Sequence, residues 1–282
     1  MKLHALTVSV NYSDLLVHTI ATNKDLFDRW VIVTDLRDTV THELCAVNNL
    51  LCVKTDVFYT KGIFNKWAAI NEGLKYVDDD AWVLFIDSDI ALDPSTRRVL
   101  ENLSLNKGCL YGIDRLNCVG LQAWLNFRKG VGILKENWML TTAGLEFGAR
   151  LVHHYGHEGE NGRFEGYRPC GYFQLAHRSA FTTHPQDSLG ADHEDMVFAR
   201  QWPRDRRVLI PEIYCVHLEA PRVKAGEFWG VNWYGRVSPP FHEGFSDTGY
   251  PQPLPVARLP LRLWILRLFF KVLRWFKRKH KY

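Results

Sequence analysis

The chain has 282 residues, of which 46% are hydrophobic and 23% charged, so it is long enough to bury a core and too apolar to be disordered throughout. Its 35 Lys and Arg residues against 31 Asp and Glu residues give a formal net charge of +4. Nine of the basic residues fall within residues 258–282, which leaves 26 basic and 31 acidic residues in the rest of the chain. A mildly acidic body argues against a general nucleic-acid binder, and we expect no nucleic-acid partner.

Short apolar runs alternate with segments of helical periodicity through the first 90 residues. The pattern predicts strands over residues 6–10, 30–34, 51–53 and 82–86, and helices over residues 15–24, 41–49 and 65–76. Ser13 or Asp14 is expected to cap the first helix. This alternation is typical of an open, largely parallel α/β sheet, in which ligands bind beyond the carboxyl ends of the strands.

The pattern loosens after residue 105. Short strand-like runs occur within residues 108–135 and 163–180, and a helix is predicted over residues 193–201. Two late strands, residues 208–210 and 213–216, are expected on either side of Pro211. Residues 221–257 are rich in Pro, Gly and aromatic residues, which favours irregular structure.

An Asp-x-Asp pair, Asp87 and Asp89, directly follows the most apolar predicted strand. Two carboxylates two residues apart can present hard oxygen ligands to one Mg²⁺ or Mn²⁺ ion, and such an ion stabilises a pyrophosphate leaving group. Asp pairs also occur in ordinary loops, where they make turns and cap helices. The position at a strand end favours the metal interpretation.

Several segments resemble, in the same order, the nucleotide-sugar glycosyltransferases of the GT-A fold, especially bacterial enzymes similar to family 2. The resemblance covers residues 4 to about 220. It is carried by six segments: Val8-Ser9-Val10-Asn11-Tyr12, Val31-Ile32-Val33-Thr34-Asp35, the K-x-x-A-x-N-x-G helix Lys66-Trp67-Ala68-Ala69-Ile70-Asn71-Glu72-Gly73, Phe85-Ile86-Asp87-Ser88-Asp89-Ile90, His193-Glu194-Asp195-Met196 and Val216-His217-Leu218.

The resemblance implies roles for individual residues. The metal, Mn²⁺ or Mg²⁺, would be held by Asp87, Asp89 and His217. The donor would be contacted by Tyr12, which stacks on the base, by Asp35 or Asp38, by Lys66, which reaches a phosphate, and by Asn71 and Asp87. Asp195 would be the general base of an inverting transfer, and Glu194 would hold it or replace it.

The resemblance implies a transferase that moves a sugar from a nucleotide diphosphate-sugar donor to a hydroxyl of a glycan or lipid-linked acceptor, in bacterial surface polysaccharide synthesis. Two alternatives stay open: a nucleotidyltransferase of similar sheet topology and a non-catalytic membrane-bound scaffold. The absence of a Q-x-x-R-W motif argues against a processive polymerase. A zinc site at His153 and His157 is disfavoured, because Gly156 and Gly159 weaken the helix that it needs.

The last segment has the pattern of a basic amphipathic helix. Arg267, Lys271 and Arg274 fall on one side, and apolar residues that include Trp264 and Trp275 fill the other. Such a helix should lie on an anionic membrane surface. Packing on the protein's own core is the alternative.

We therefore expect three regions: a GT-A catalytic domain at 1–222, an irregular acceptor-side segment at 223–257 and the membrane-surface helix at 258–282. Six cysteines without a C-x-x-C pair, and an N-terminus that reads as a strand, favour a reducing cytosol. The expected location is cytoplasmic, on the inner face of the cell membrane.

Overall fold

The computed structural model describes residues 1–60, 63–119, 124–125, 128, 169–185 and 194–219. Ten strands and five α-helices have their bounds within these ranges, and residues 124–125 and 128 are also helical. The strands are β1 (Leu3–Val8), β2 (Arg29–Asp35), β3 (Leu51–Thr55), β4 (Tyr59–Thr60), β5 (Ile63–Phe64), β6 (Trp82–Phe85), β7 (Ile90–Leu92), β8 (Leu110–Val119), β9 (Gln174–His177) and β10 (Arg207–Glu219). The helices are α1 (Ser13–Asn23), α2 (Thr39–Val47), α3 (Lys66–Leu74), α4 (Thr96–Asn102) and α5 (Glu194–Ala199). Short 3₁₀ turns occupy Lys24–Leu26, Arg178–Ala180 and Arg204–Arg206.

Eight of these strands form one sheet in the order β3-β2-β1-β6-β9-β8-β10-β7. The first four are mutually parallel, β8 and β10 are parallel, and β9 and β7 run antiparallel to their neighbours. The central runs are apolar and almost fully buried, as expected for parallel strands covered on both faces. The α/β, mostly parallel sheet predicted from the sequence is confirmed.

Helix α3 packs very close to the sheet because it carries a glycine on its inner face. A Cβ atom at Gly73 would lie 2.7 Å from Val33 Cγ2 and 2.8 Å from Leu6 Cδ1. A side chain at this position would push the helix off β1 and β2. The close contact fixes the direction of α3 and therefore the position of Lys66 at its first turn, next to the carboxyl end of β6.

Three expectations are corrected. The first strand is Leu3–Val8 rather than residues 6–10. The two late strands are one strand, β10, because a bulge between Ile210 and Tyr214 accommodates Pro211 and the ladder with β8 then resumes. Neither Ser13 nor Asp14 caps α1. Its N-cap residue is Tyr12, which makes no side-chain cap hydrogen bond.

The chain divides into two units, Met1–Pro240 and Phe241–Tyr282. All described residues belong to the first unit, and the second lies wholly outside them, as does the proposed tail helix. Within the described residues, no helix has the length and hydrophobicity that a membrane span requires. The three-region organisation stays a prediction.

Candidate active site

Asp89 and His217 meet at the carboxyl end of the sheet. Asp89 follows β6, and His217 lies within β10, which pairs with β7 immediately after Asp89. Their side chains are in contact, with His217 Nε2 3.2 Å from Asp89 Oδ2, and the Leu218 N–H donates to the Asp89 carbonyl at 2.8 Å. The second carboxylate oxygen of Asp89, Oδ1, is buried and has no hydrogen-bond partner. A buried carboxylate oxygen without a donor favours a cation at this point.

Asp87 points to a different partner. Its Oδ1 accepts a hydrogen bond from Lys66 Nζ at 2.7 Å, and the same ammonium lies 3.0 Å from Glu194 Oε1. Lys66 therefore joins three segments that are far apart in sequence: the start of α3, the end of β6 and the start of α5. The Lys66 side chain is 13% exposed and that of Glu194 is 2% exposed, whereas Asp87 is 31% exposed and faces the solvent side of the group.

The charges of this group shift the pKa values of its members. Burial opposes the charge on Lys66, but Asp87 and Glu194 outweigh it and hold the pKa of the ammonium well above its usual range. Burial raises the pKa of Glu194 to about 7; the charge on Lys66 opposes this rise and the Asp195 carboxylate adds to it. A carboxylic acid that titrates near neutral pH in a cleft is suited to proton transfer.

Asp195 is held by backbone groups beside Glu194. Its Oδ2 accepts from the Gly171 N–H at 2.7 Å and its Oδ1 from the Met196 N–H at 2.6 Å, while Gln174 Nε2 donates to its carbonyl at 2.8 Å. A Cβ atom at Gly171 would lie 3.1 Å from the Asp195 Cβ, so only glycine permits this approach without a shift. The turn before β9 thus fixes the Asp195 carboxylate at the cleft.

His184 is a wall of the same cleft that sequence reasoning missed. Its ring stacks on Phe198 of α5 with centroids 4.6 Å apart and planes 7° from parallel. Burial, followed by the charge of Lys66, lowers the pKa of His184 to about 3, so the ring is neutral at physiological pH. It lines a small cavity together with Lys66, Asp87, Glu194 and Asp195.

Asn71, predicted to contact the donor, lies on α3 and clamps the backbone of His184. It accepts from the His184 N–H at 2.8 Å and donates to the His184 carbonyl at 2.9 Å. These two bonds hold the segment after β9 against α3. What the structure gives for Asn71 is therefore a role in placing His184, and its contact with a donor stays a prediction.

The two carboxylates after β2 differ in their surroundings. Asp38 caps α2 through the Thr41 N–H at 3.1 Å, and its Oδ2 accepts from the Asn11 N–H at 2.7 Å and from two threonine hydroxyls. Its bond to Asn11 supports the left-handed turn there, where φ is 58°. Asp35 is 1% exposed and pairs with Arg37, whose Nε lies 2.9 Å from its Oδ1.

Tyr12 lies at the same turn and packs against the apolar cluster beneath it, which contains Leu15 and Trp124. Because Asp38 accepts a hydrogen bond from the Asn11 N–H, it stabilises the turn between β1 and α1. Which of Asp35 and Asp38 contacts the base, and whether Tyr12 stacks on it, stay predictions.

Asp89 and His217 are the side chains of this group that suit a divalent metal. Among the described residues, no group of three or more His, Cys, Asp or Glu side chains is arranged to hold a metal ion. The pair of Asp89 and His217 nevertheless offers one unpartnered carboxylate oxygen and one imidazole nitrogen, a donor set that suits Mn²⁺ or Mg²⁺ with substrate phosphates and water completing the shell. Asp87, the third predicted ligand, is paired with Lys66 through its Oδ1 atom and does not contact Asp89 or His217 in the described hydrogen bonds.

The chain was compared with known proteins. No protein-family model and no curated protein sequence matches it significantly. Among the most similar solved structures is glucosyl-3-phosphoglycerate synthase from Mycobacterium tuberculosis, with 14% identity, a TM-score of 0.48 and coverage of 82% of this chain and 76% of that chain. A structure of this synthase in complex with Mn²⁺, uridine-diphosphate-glucose and glycerol 3-phosphate has 15% identity, a TM-score of 0.46 and coverage of 78% and 73%.

A nucleotidyl transferase from Methanothermobacter thermautotroptrophicus is also similar, with 15% identity and a TM-score of 0.32. The alignment covers 42% of this chain and 64% of that chain. It spans a smaller part of this chain than the alignments with the synthase do.

Replacing Glu194 by Gln should change how stability depends on pH. The folded-state pKa of Glu194, about 7, lies above the usual carboxyl value of 4.5, so its favourable contribution is complete below pH 4.5 and is lost as the pH rises through 7. The variant should therefore gain stability relative to the wild type between pH 4.5 and 7, by on the order of 2–3 kcal/mol, and the difference should level off above that. Urea unfolding at several pH values measures this, with Glu43→Gln on the exposed side of α2 as the control. An equal difference at pH 5 and pH 8 would contradict the assignment.

Proposed function

We propose that this chain is a metal-dependent glycosyltransferase of the GT-A type, which moves a sugar from a nucleotide diphosphate donor to a hydroxyl group of an acceptor. One observation carries the proposal: the carboxyl edge of the sheet carries a carboxylate–imidazole pair, Asp89 and His217, and a cation–carboxylate group of Lys66, Asp87 and Glu194. A nucleotide diphosphate-sugar needs a metal site and a cation, because its leaving group is a nucleoside diphosphate whose negative charge must be stabilised.

The diphosphate would lie between Lys66 and the pair of Asp89 and His217. When bound, a divalent metal ion supplies a Lewis acid that neutralises the charge of the leaving diphosphate. Lys66 is already charged, and its exchange of Asp87 for a phosphate oxygen would keep the buried ammonium paired. The same exchange would free Asp87 to contact the metal, the ribose or the sugar.

The base is Asp195 in this proposal. Its carboxylate lines the cleft and is oriented by the Gly171 and Met196 N–H groups, so it has a fixed direction toward an entering hydroxyl. An inverting displacement requires a base on the face opposite the leaving group. Glu194, with a pKa near 7 and one buried oxygen without a hydrogen-bond partner, is the alternative base.

A binding screen tests the proposal. Nucleoside diphosphates with different bases should each be added to the full-length protein with and without Mn²⁺, and the melting temperature recorded. At least one of them should raise the melting temperature in the presence of Mn²⁺ by more than metal and nucleotide raise it separately. A protein that responds to neither ligand would instead be the non-catalytic scaffold.

The acceptor is proposed to be a glycan or lipid-linked molecule of a bacterial surface polysaccharide pathway. The support is the sequence of residues 258–282, whose basic and aromatic amphipathic pattern suits the cytoplasmic surface of the cell membrane. An enzyme attached there would meet a lipid-linked acceptor in the plane of the membrane.

Deleting residues 258–282 should release the protein from anionic vesicles and leave it folded. The basic side of the segment contributes about 1 kcal/mol per residue near an anionic surface, and its apolar side adds burial in the headgroup region. Co-sedimentation with anionic vesicles measures binding, and full-length protein at rising salt is the control, because salt screens surface attraction. A truncated protein that still sedimented would contradict the anchor, and one that unfolded would indicate a helix packed on the protein's own core.

A further inference from the structure

Arg115, in β8, is a cation with no counter-ion among the described residues. Its side chain is half-buried, its Nε atom is fully buried without a hydrogen-bond partner, and no ion pair in the described part of the chain includes it. Buried polar groups are almost always paired in folded proteins, so the buried, unpaired Nε–H group of Arg115 needs an explanation. A bound anion supplies one, because the planar guanidinium matches the geometry of phosphate and carboxylate groups.

The guanidinium is held in place by an aromatic ring. Its central carbon lies 4.9 Å from the ring centroid of Tyr172, which is 3% exposed and donates its hydroxyl to the Ile113 carbonyl at 2.6 Å. Stacking on a fixed ring orients a cation before any ligand arrives. Arg115 therefore loses little further freedom when it binds an anion.

The sheet register places Arg115 near His217 of the candidate site. On β8 and β10, Arg115 pairs with Cys215 and Asn117 pairs with His217, so Arg115 and His217 lie on the same face of the sheet. Their backbones are roughly 8 Å apart, from strand and residue spacings of about 4.8 and 6.6 Å. The buried Cys215 thiol is within electrostatic reach of both Arg115 and Asp89.

Arg115 is linked to the other half of the site through Tyr172. Tyr172, on which the guanidinium stacks, directly follows Gly171, and the Gly171 N–H holds the Asp195 carboxylate. The anionic group bound by Arg115 would thus belong to a molecule whose hydroxyl group can approach Asp195. The donor diphosphate has other cations available in Lys66 and the proposed metal at Asp89.

We propose that Arg115 is the anion-binding residue for the acceptor: its guanidinium, stacked on Tyr172 and on the same face of the sheet as His217, receives a phosphate or carboxylate group of the molecule that accepts the sugar. This rests on the proposed function in one respect, namely that Asp195 and the metal pair define where the acceptor enters. It narrows the acceptor to hydroxyl compounds that also carry an anionic group.

The test uses the full-length protein with saturating Mn²⁺ and a nucleoside diphosphate, and inorganic phosphate as the probe. Phosphate affinity is measured by calorimetry for the wild type, Arg115→Gln and Arg115→Lys. The glutamine variant should lose roughly ten- to a hundred-fold in phosphate affinity, the value of a charge-assisted hydrogen bond, and the lysine variant should keep part of it. Arg178→Gln is the matched control, because Arg178 also stacks on an aromatic ring, at 5.1 Å from the centroid of Phe181, and follows the opposite end of β9.

Three results would overturn the proposal: phosphate affinity that is equal in the wild type and Arg115→Gln, an equal loss in the Arg178 control, or a loss of nucleoside diphosphate affinity in Arg115→Gln as large as the loss of phosphate affinity. The last would assign the guanidinium to the donor. Failure of the proposed function is seen separately, as an absence of Mn²⁺-dependent nucleotide binding in the wild type. The lysine variant, checked by its circular dichroism spectrum, keeps the test valid if Arg115→Gln does not fold.

Discussion

Asp89→Asn should abolish Mn²⁺-dependent nucleotide binding and, with it, turnover of a nucleotide-sugar donor. Asp89 is the carboxylate that contacts His217, and its Oδ1 atom is buried without a hydrogen-bond partner. We therefore expect Asp89 to be the principal ligand of the metal. Loss of a residue that merely supports a metal ligand already costs 10- to 100-fold in affinity, so loss of this ligand should cost at least about 100-fold. Calorimetric titration of a nucleoside diphosphate at fixed Mn²⁺ measures the effect.

The matched control for this variant is Asp79→Asn. Asp79 is exposed in the turn before β6, at the opposite end of the strand, and the same change of charge there should leave binding unaltered. The fold of Asp89→Asn should be retained, because the hydrogen bond between the Leu218 N–H and the residue 89 carbonyl belongs to the backbone. Unchanged binding and turnover in a folded Asp89→Asn protein would contradict the assignment of Asp89 as a metal ligand.

Asp195→Asn should keep donor binding and lose 10²- to 10⁴-fold in rate, which is the usual contribution of a general base. The amide is nearly isosteric and can still accept from the Gly171 N–H, so the turn before β9 is retained, but it cannot take the proton of an acceptor hydroxyl. Donor affinity and turnover number, measured separately, distinguish this loss from a binding defect.

Glu194→Gln is the control that separates the two candidate bases. If Asp195 is the base, the glutamine variant should keep most of the rate. If Glu194 is the base, the glutamine variant should show the large loss, and the rate of the wild type should rise with pH through about 7, where Glu194 loses its proton. A product with the anomeric configuration of the donor would contradict an inverting role for Asp195 whatever the variants do.

The strands that build the active edge were predictable from the sequence. The apolar runs of β2 and β6, and the polar residues that follow them, place Asp35, Asp87 and Asp89 at one edge of a parallel sheet by local pattern alone. The same holds for α3, which its apolar spacing predicts as a helix. These features are predictable because strands and helices are determined largely by residues that are close together in the sequence.

The pairings inside the cleft were not predictable in the same way. Lys66 meets Glu194 across 128 positions, and no local pattern in either segment indicates that contact. Asp38 has the sequence position of a donor-binding carboxylate. In the structure it also caps α2, a role that Asp residues commonly take before helices. No sequence pattern indicates Arg115 as a binding residue, because its surroundings are set by the register of β8 against β10 and by its stacking on Tyr172.

As a glycosyltransferase, the protein is proposed to cleave a nucleotide-sugar between the sugar and the diphosphate. Phosphorus and proton NMR of the protein incubated with Mn²⁺ and a panel of nucleotide-sugars tests this directly, because water can replace the acceptor in a slow hydrolysis. We expect the release of a nucleoside diphosphate and free sugar from at least one donor, and no release by Asp89→Asn. Formation of nucleotide-sugar from a sugar phosphate and a nucleoside triphosphate, with release of pyrophosphate, would contradict it.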